Sequence, residues 1–428
     1  RYVFHRTPGG TVWSHVTVQP GSGETRRADL RILDDEGRTL AEVQDVQLKR
    51  VTRDALERLG ERWLDDCLYV TRWQTAPVEE VEAGHAWTLE ALVGSVADGA
   101  ARLRAAADIA SYDAFLPRLE ALCAHYTVRA MRRLGWHPAA GEQIVEATLA
   151  DRLGVVSAHR RLFARLLAIL AEEGWLVRQP QGWRVLRSPP EQDTDTERAA
   201  LEATRPAGAA AELQLTARVA NELAEALRGE REPMQLLFPG GSLDTAERLY
   251  RDAPTAKFFN GLIAEVLTAA VSARANGKRV RILEVGAGTG GTTAHVLDRL
   301  PADAVEYTFT DVGPLFVARA RERFGSFGFA RFEVLDLERE PQRQGFVDRQ
   351  FDIVIASNVI HATADLRRTL ARVRGLMAPG GLLAMLEVTS PQRWFDLTVG
   401  LTSGWWAFTD TQLRPDYATL TRRRWLEL

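Results

Sequence analysis

Residues Ile282–Gly291 read Ile-Leu-Glu-Val-Gly-Ala-Gly-Thr-Gly-Gly, an apolar strand that stops in an acid and a glycine-rich turn and then runs into the helical stretch Thr292–Leu300. The glycines at 286, 288 and 290 let the backbone turn sharply and leave no Cβ to hold a ligand off it. Such a loop binds a nucleotide-like molecule. The same string satisfies G-x-G-x-x-G at Gly286, Gly288 and Gly291, so a nicotinamide or flavin cofactor and S-adenosylmethionine both fit it.

From Val280 onward, strands at 280–285, 305–310, 330–335, 351–356 and 381–388 alternate with helices at 291–300, 314–324 and 365–376. That alternation predicts an α/β fold, a parallel sheet covered by helices on both faces, with its ligands at the carboxyl ends of the strands. Acids at those ends narrow the cofactor. Asp311, after the second strand, can accept from ribose hydroxyls in either cofactor class. Asp336, after the third, suits an adenine amino group in the methyl-donor fold, and Glu284, inside the first turn, suits the ammonium of a methionine moiety. Asp336 also reads as an ordinary loop cap.

A chain of 428 residues has room for about two to four domains. With 54 basic and 57 acidic residues and a net charge of -3, no global field points to nucleic acid or to an anionic membrane. Cys67 and Cys123 lie far apart, with no paired C-x-x-C, so neither a disulfide framework nor a zinc site is expected and a reducing, cytoplasmic setting fits. No apolar run is expected to reach the roughly 18 residues that span a bilayer. The chain opens Arg1-Tyr2-Val3, without an initiator methionine, and reads as a piece cut from something longer.

Ahead of the α/β region, Thr11–Val18, Thr25–Leu33 and Thr39–Val51 predict β-structure around the turn Asp34–Gly37, with Leu30, Ile32, Leu40, Val43, Val46 and Leu48 on one buried face. Residues 112–171 carry helical apolar spacing, broken at Gly135–Pro138 and at Gly154. Gly174–Leu186 then reads as two short strands around Pro-Gln-Gly, the form of a winged helix. With His159, Arg160, Arg161 and Arg165 on the helix before it, this element admits a DNA-binding reading; Trp175 and Trp183 read better as packing residues of a small helical subdomain. Ser188–Glu197 reads as a linker.

The segment Ile282–Gly291 resembles motif one of class I S-adenosylmethionine-dependent methyltransferases. Phe351–Thr363, Leu376–Thr389, Gly404-Trp405-Trp406 and Leu413-Arg414-Pro415 are similar to the later motifs of one subfamily, the C-methyltransferase domain of polyketide synthases, and Leu249-Tyr250 and the helical region from about residue 110 extend the likeness. Residues 11–52 resemble the closing strands of a dehydratase domain, without the segments that would carry its catalytic histidine and aspartate. The resemblance implies a class I methyltransferase core with a mainly helical lid subdomain and a short β-hairpin remnant at the N-terminus. The expected division is 1–52 dehydratase remnant, 53–105 connecting segment, 106–188 helical and winged lid, 189–278 linker and lid helices, and 279–428 the donor-binding core. The core ends at Trp425–Leu428, an expected helix, where the class I fold normally continues into an antiparallel strand pair.

Carbon methylation needs an enolate, and so a base for the α-proton of a β-ketoacyl thioester. His361 follows the fourth strand and Glu387 ends the fifth, so both can lie on the ligand edge, the histidine as base and the glutamate orienting it. The likeness further implies that Tyr250 lines the substrate pocket, that Glu284, Gly286, Gly288, Gly290, Asp311, Val312, Asp336, Leu337 and Asn358 bind the donor and its product S-adenosylhomocysteine, and that no metal takes part. It implies as partners an acyl carrier protein bearing a phosphopantetheine-linked β-ketoacyl chain and neighbouring synthase domains, with neither nucleic acid nor membrane. A catalytically silent scaffold, an O-methyltransferase and a DNA-binding regulator are the competing readings.

Overall fold

In the computed structural model the described residues are 2–6, 11–19, 25–49, 88–273 and 278–428, and the chain forms two compact units, Arg1–Glu80 and Val81–Leu428. The first holds β1 (Tyr2–Phe4), β2 (Trp13–Val18), β3 (Thr25–Leu33) and β4 (Thr39–Lys49) in one antiparallel sheet of order β1-β4-β3-β2. Its tight turn is closed by Asp34, whose Oδ1 accepts from the amides of Glu36 and Arg38 at 3.1 and 2.8 Å. The expectation of one buried face is corrected. Ala28, Leu40 and Ala41 are buried, Leu30, Ile32, Val43 and Val46 are only half-buried, and β2 is exposed along its length. The four strands make a single layer, and a single layer covers neither face. Of the expected connecting segment 53–105, residues 53–87 fall outside the described residues, as does Cys67.

In the second unit, β5 (Gln143–Ile144), β6 (Leu176–Gln179) and β7 (Gly182–Val185) make the small wing, in order β5-β7-β6. The strands β8 (Val280–Val285), β9 (Val305–Asp311), β10 (Ala330–Val334), β11 (Phe351–Ser357) and β12 (Met377–Leu386) form a wholly parallel sheet, β10-β9-β8-β11-β12. Ile282, Leu283, Ile353, Val354 and Ile355 are fully buried, as a sheet covered on both faces requires. The chain reverses strand order beside β8, which puts the crevice where ligands bind such sheets between β8 and β11.

Three findings bear on the expected organisation of the chain. Within the segment expected to be partly helical connecting chain, residues 89–106 form an 18-residue helix, capped by Thr88 and packed on the helix Pro254–Ala273 with Leu103 against Gly261. That second helix, 20 residues long, is apolar and long enough by length and composition to cross a membrane, contrary to expectation. Its Ile263, Ala264, Leu267 and Ala270 lie in one core with Ile282, Tyr307 and Phe309 of the sheet. The third concerns residue 188, where the lid helices on the two sides of the expected linker share one core. Leu201, Leu213 and Leu223 share a cluster with Leu119, Leu162, Phe163, Leu166, Trp175 and Trp183, and Trp394, Leu397, Leu401, Trp406 and Phe408 from beyond β12 enter the same cluster. Helical spacing marks which face of each helix is apolar; it does not say which helices share a core.

The basic helix Arg160–Glu172 supplies the ties between lid and C-terminal region. Arg161 donates to the carbonyl of Trp406 at 2.5 Å, and Arg165 donates to Asp396 at 2.8 Å and pairs with Glu172. Asp396 is fully buried and also accepts from the Tyr417 hydroxyl at 2.6 Å. Removing Asp396 takes away the acceptor of the Tyr417 hydroxyl and leaves Arg165, largely withdrawn from water, with Glu172 alone. Asp396→Ala is therefore expected to lower unfolding stability by about 3–5 kcal/mol in a denaturant titration.

Two further acids stand inside otherwise apolar surroundings, Glu284 in β8 and Glu212 in the helix Ala210–Asn221, each 1% exposed. Burial pushes the Glu284 carboxyl up to about 7, against the hydroxyls of Thr293 and Tyr307 that pull it down, and pushes Glu212 up to about 8. Below the ordinary carboxylate range the folded and unfolded chains both hold these protons. Above it the unfolded chain releases them while the folded chain keeps them, so stability falls with rising pH until each folded carboxyl ionises. Thermal melts of wild type and Glu284→Gln between pH 4 and pH 8 are expected to diverge by on the order of 3 kcal/mol across that window, the wild type losing stability toward neutral pH.

Candidate active site

Parallel register aligns the carboxyl ends of β8, β11 and β12: Ile355 stands opposite Glu284, Ala356 opposite Val285 and Met385, and Ser357 opposite Leu386. Immediately beyond those ends come Gly286, Asn358 and Glu387. Asn358 has φ of 52°, a left-handed turn that asparagine tolerates, and its amide donates to the Leu386 carbonyl at 2.7 Å. The glycines differ in what they serve. A Cβ on Gly286 would meet Val359 at 2.1 Å, and one on Gly291 would meet the Tyr250 carbonyl oxygen at 2.4 Å, so both are held small by the protein itself. At Gly288, with φ of 55°, nothing lies within 4 Å. This is the point at which a ligand can lie on the backbone.

Glu284 receives hydrogen bonds from Thr293 and Tyr307, both at 2.5 Å to Oε2. Asp311 braces the turn, accepting from the amides of Gly288 at 2.9 Å and Gly313 at 2.8 Å. Asp336 caps its own loop, taking the Glu338 amide at 2.8 Å and pairing with Arg339 at 3.3 Å.

The expected histidine–carboxylate pair is formed. His361 Nδ1 lies 2.5 Å from Glu387 Oε2, while Glu387 Oε1 accepts from the amides of Val359, Ile360 and His361 at 3.2, 2.8 and 3.4 Å. A carboxylate only accepts, so Nδ1–H is the donor of this hydrogen bond and Nε2 is the ring nitrogen left outside it. Trp405 stands edge-on to the imidazole at 5.3 Å. The turn is fixed from below by Arg414, 1% exposed, which donates to the carbonyls of His361 at 2.6 Å and Thr363 at 2.7 Å and pairs with Asp410 at 2.6 Å. Sequence reading gave Arg414 no role; its spacing of four from Asp410 was the available signal.

Beside this edge lies a cavity of about 930 Å³, large enough for a cofactor and a substrate together. Glu284, Gly286, Gly288, Asn358, Glu387 and Tyr250 line it; Gly290, Asp311, Val312, Asp336, Leu337 and the His361 imidazole are not among its lining residues. Val312 is 61% exposed and Leu337 is buried in the core beneath β11. Asp311 and Asp336 hold turns in this structure, where unpaired amides at strand ends take up a nearby carboxylate. Thr289, Phe316, Asn260 and Glu212 line the cavity without having been singled out. Asn260 holds the lid to the loop, donating to the Tyr250 carbonyl at 3.1 Å and accepting from Thr292 at 2.9 Å.

A profile of methyltransferase domains matches residues 283–383, and one of polyketide synthase dehydratase N-terminal domains matches 1–58. Polyketide synthase ThaG of Burkholderia thailandensis is 38% identical over 274 residues, 63% of this chain but 5% of that protein, so the chain spans a small fraction of such a synthase. Among solved structures, the CurJ carbon methyltransferase superposes with a TM-score of 0.75 at 40% identity, over 78% of this chain and 89% of that one. The trans-methyltransferase CalH, solved as a complex with S-adenosylhomocysteine, gives 0.55 at 25% identity over 74% and 82%. A parallel sheet of this order, a glycine turn open at Gly288 and a likeness that covers nearly the whole of a carbon methyltransferase agree: the chain belongs to the S-adenosylmethionine-dependent C-methyltransferases of polyketide synthases.

Proposed function

We propose that this cavity methylates the α-carbon of a β-ketoacyl chain carried on the phosphopantetheine arm of an acyl carrier protein, within a synthase whose other domains adjoin this one. The observation that carries the proposal is the fixed His361–Glu387 pair at the strand ends shared with the glycine turn. S-adenosylmethionine supplies an electrophilic sulfonium methyl group. Gly288 leaves room for that donor on the backbone, and Glu284, which accepts from Thr293 and Tyr307 on Oε2, is the acid that would take its ammonium.

His361 Nε2 is the general base. Glu387 orients the ring and stabilises it once protonated, as carboxylates do in such pairs. Glu387 reaches the cavity wall where the imidazole does not, yet its lone pairs are taken by three backbone amides and the ring, which leaves it poorly suited to remove a substrate proton. Tyr250 and Asn358, both on the wall, are placed to donate to the oxygen of the forming enolate.

Incubation with the donor and a β-ketoacyl carrier protein, followed by intact-mass measurement, is expected to add one methyl mass, with none on the β-hydroxy analogue. His361→Gln should slow this by roughly 10²–10⁴-fold; full turnover by that variant would end the assignment of the base. A second expectation concerns Glu284. Because its buried carboxyl titrates near 7, an ammonium arriving beside it below that pH should expel its proton. Calorimetric titration with S-adenosylmethionine at pH 6 in buffers of differing ionisation enthalpy should record proton release in the wild type and none in Glu284→Gln, which should bind about 10-fold or more weakly.

A further inference from the structure

Glu212 lines the same cavity from the lid, on a helix that carries neither the glycine turn nor the histidine–carboxylate pair. Its Oε1 accepts from the Tyr112 hydroxyl at 3.0 Å, and Oε2, buried, has no hydrogen-bond partner. Thr255, next to Tyr112, lines the cavity beside them. Burial pushes the carboxyl up to about 8, and with Oε1 accepting from Tyr112, a proton held by this carboxyl has Oε2 as its free position, an oxygen that meets no acceptor in the protein. A buried polar atom without a partner is destabilising, and at a cavity a bound oxygen is one group that can satisfy it. Phe238, Leu249, Phe259 and Phe395 make much of the lid side of the cavity apolar, with Tyr250 and Asn260 among its other polar groups. A hydrocarbon chain fits the apolar part, and Glu212 is a polar point at which an oxygen can be read.

We propose that Glu212, with Tyr112 and Thr255, forms a hydrogen-bonding subsite for a carbonyl or hydroxyl oxygen borne on the acyl chain beyond its β-keto group, and that the enzyme prefers such oxygenated chains to plain hydrocarbon ones. This rests on the reading of the cavity as an acyl site. Tyr112, from the helix Ile109–Arg133, is the titratable group in contact with Glu212, and Glu120 on that helix acts in turn on Tyr112.

The test compares two pantetheine thioesters, a 3-oxoacyl chain and its 3,5-dioxo counterpart of equal length, by kcat/KM and by calorimetric binding in the presence of S-adenosylhomocysteine. Wild type should favour the dioxo chain by about 10-fold. Glu212→Leu should bring that ratio near one, whereas Glu212→Gln, neutral and still a donor, should keep most of it. In the wild type the preference should fade above about pH 8, as the donor proton is lost, and in the glutamine variant it should not. Equal handling of both thioesters by the wild type, or an undiminished ratio in Glu212→Leu, overturns the proposal. If neither thioester is methylated while the dioxo chain still binds in preference, the methylation reading fails and the subsite stands.

Discussion

Four hydrogen bonds to one carboxylate hold this active site together. Glu387, where β12 ends, takes the amides of Val359, Ile360 and His361 and the imidazole Nδ1 proton, and so clamps the turn after β11 to the neighbouring strand. The amides would otherwise be donors without partners at a strand end, and the carboxylate would otherwise be a charge partly withdrawn from water; each need answers the other. Because β11 also pairs with β8, the same clamp fixes the imidazole relative to the glycine turn. Arg414 completes it by holding the carbonyls on the far side of the turn.

The lid and the C-terminal region are one body around this edge. Aromatic residues beyond β12 enter the lid's core, and the buried set of Arg165, Asp396 and Tyr417 pins them there. On the opposite side, the Tyr250 carbonyl rests on Gly291 so closely that a methyl group would not fit. The cavity wall is thereby made from both layers at once. Glu284, Asn358 and Glu387 come from the sheet edge, and Tyr112, Glu212 and Tyr250 come from the lid. Acidic groups in each layer sit in the low-dielectric interior and hold their protons toward neutral pH, which makes both ends of the cavity sensitive to what binds there.

Much of this was legible in the chain. Strand and helix positions after Val280 follow from apolar runs punctuated by glycine and acid, and the histidine–carboxylate pair could be proposed because both residues fall at the carboxyl ends of adjacent strands. Glu284 reads as a site residue from its place at the first turn and does line the cavity. Asp311 and Asp336 occupy equally suggestive places, yet their carboxylates close turns. Position at a strand end predicts that a side chain is near the ligand edge; whether it faces the ligand or a neighbouring amide depends on loop conformation, which periodicity does not encode. The lid is a related case, since the polar stretch near residue 188 reads as a linker although the helices on its two sides share a core.

The sequence by itself determined the order of strands and helices, the glycine turn and the chemical types gathered at one sheet edge, because these depend on local periodicity and on backbone freedom. Only the tertiary structure decided which glycine opens to a ligand and which acids brace turns. It also revealed Glu212, an acid from a helix some seventy residues before β8, which lines the cavity and has a buried oxygen without a partner. Those outcomes depend on distances between segments far apart in the chain, and a hydrogen bond or a steric contact is decided within a few tenths of an ångström.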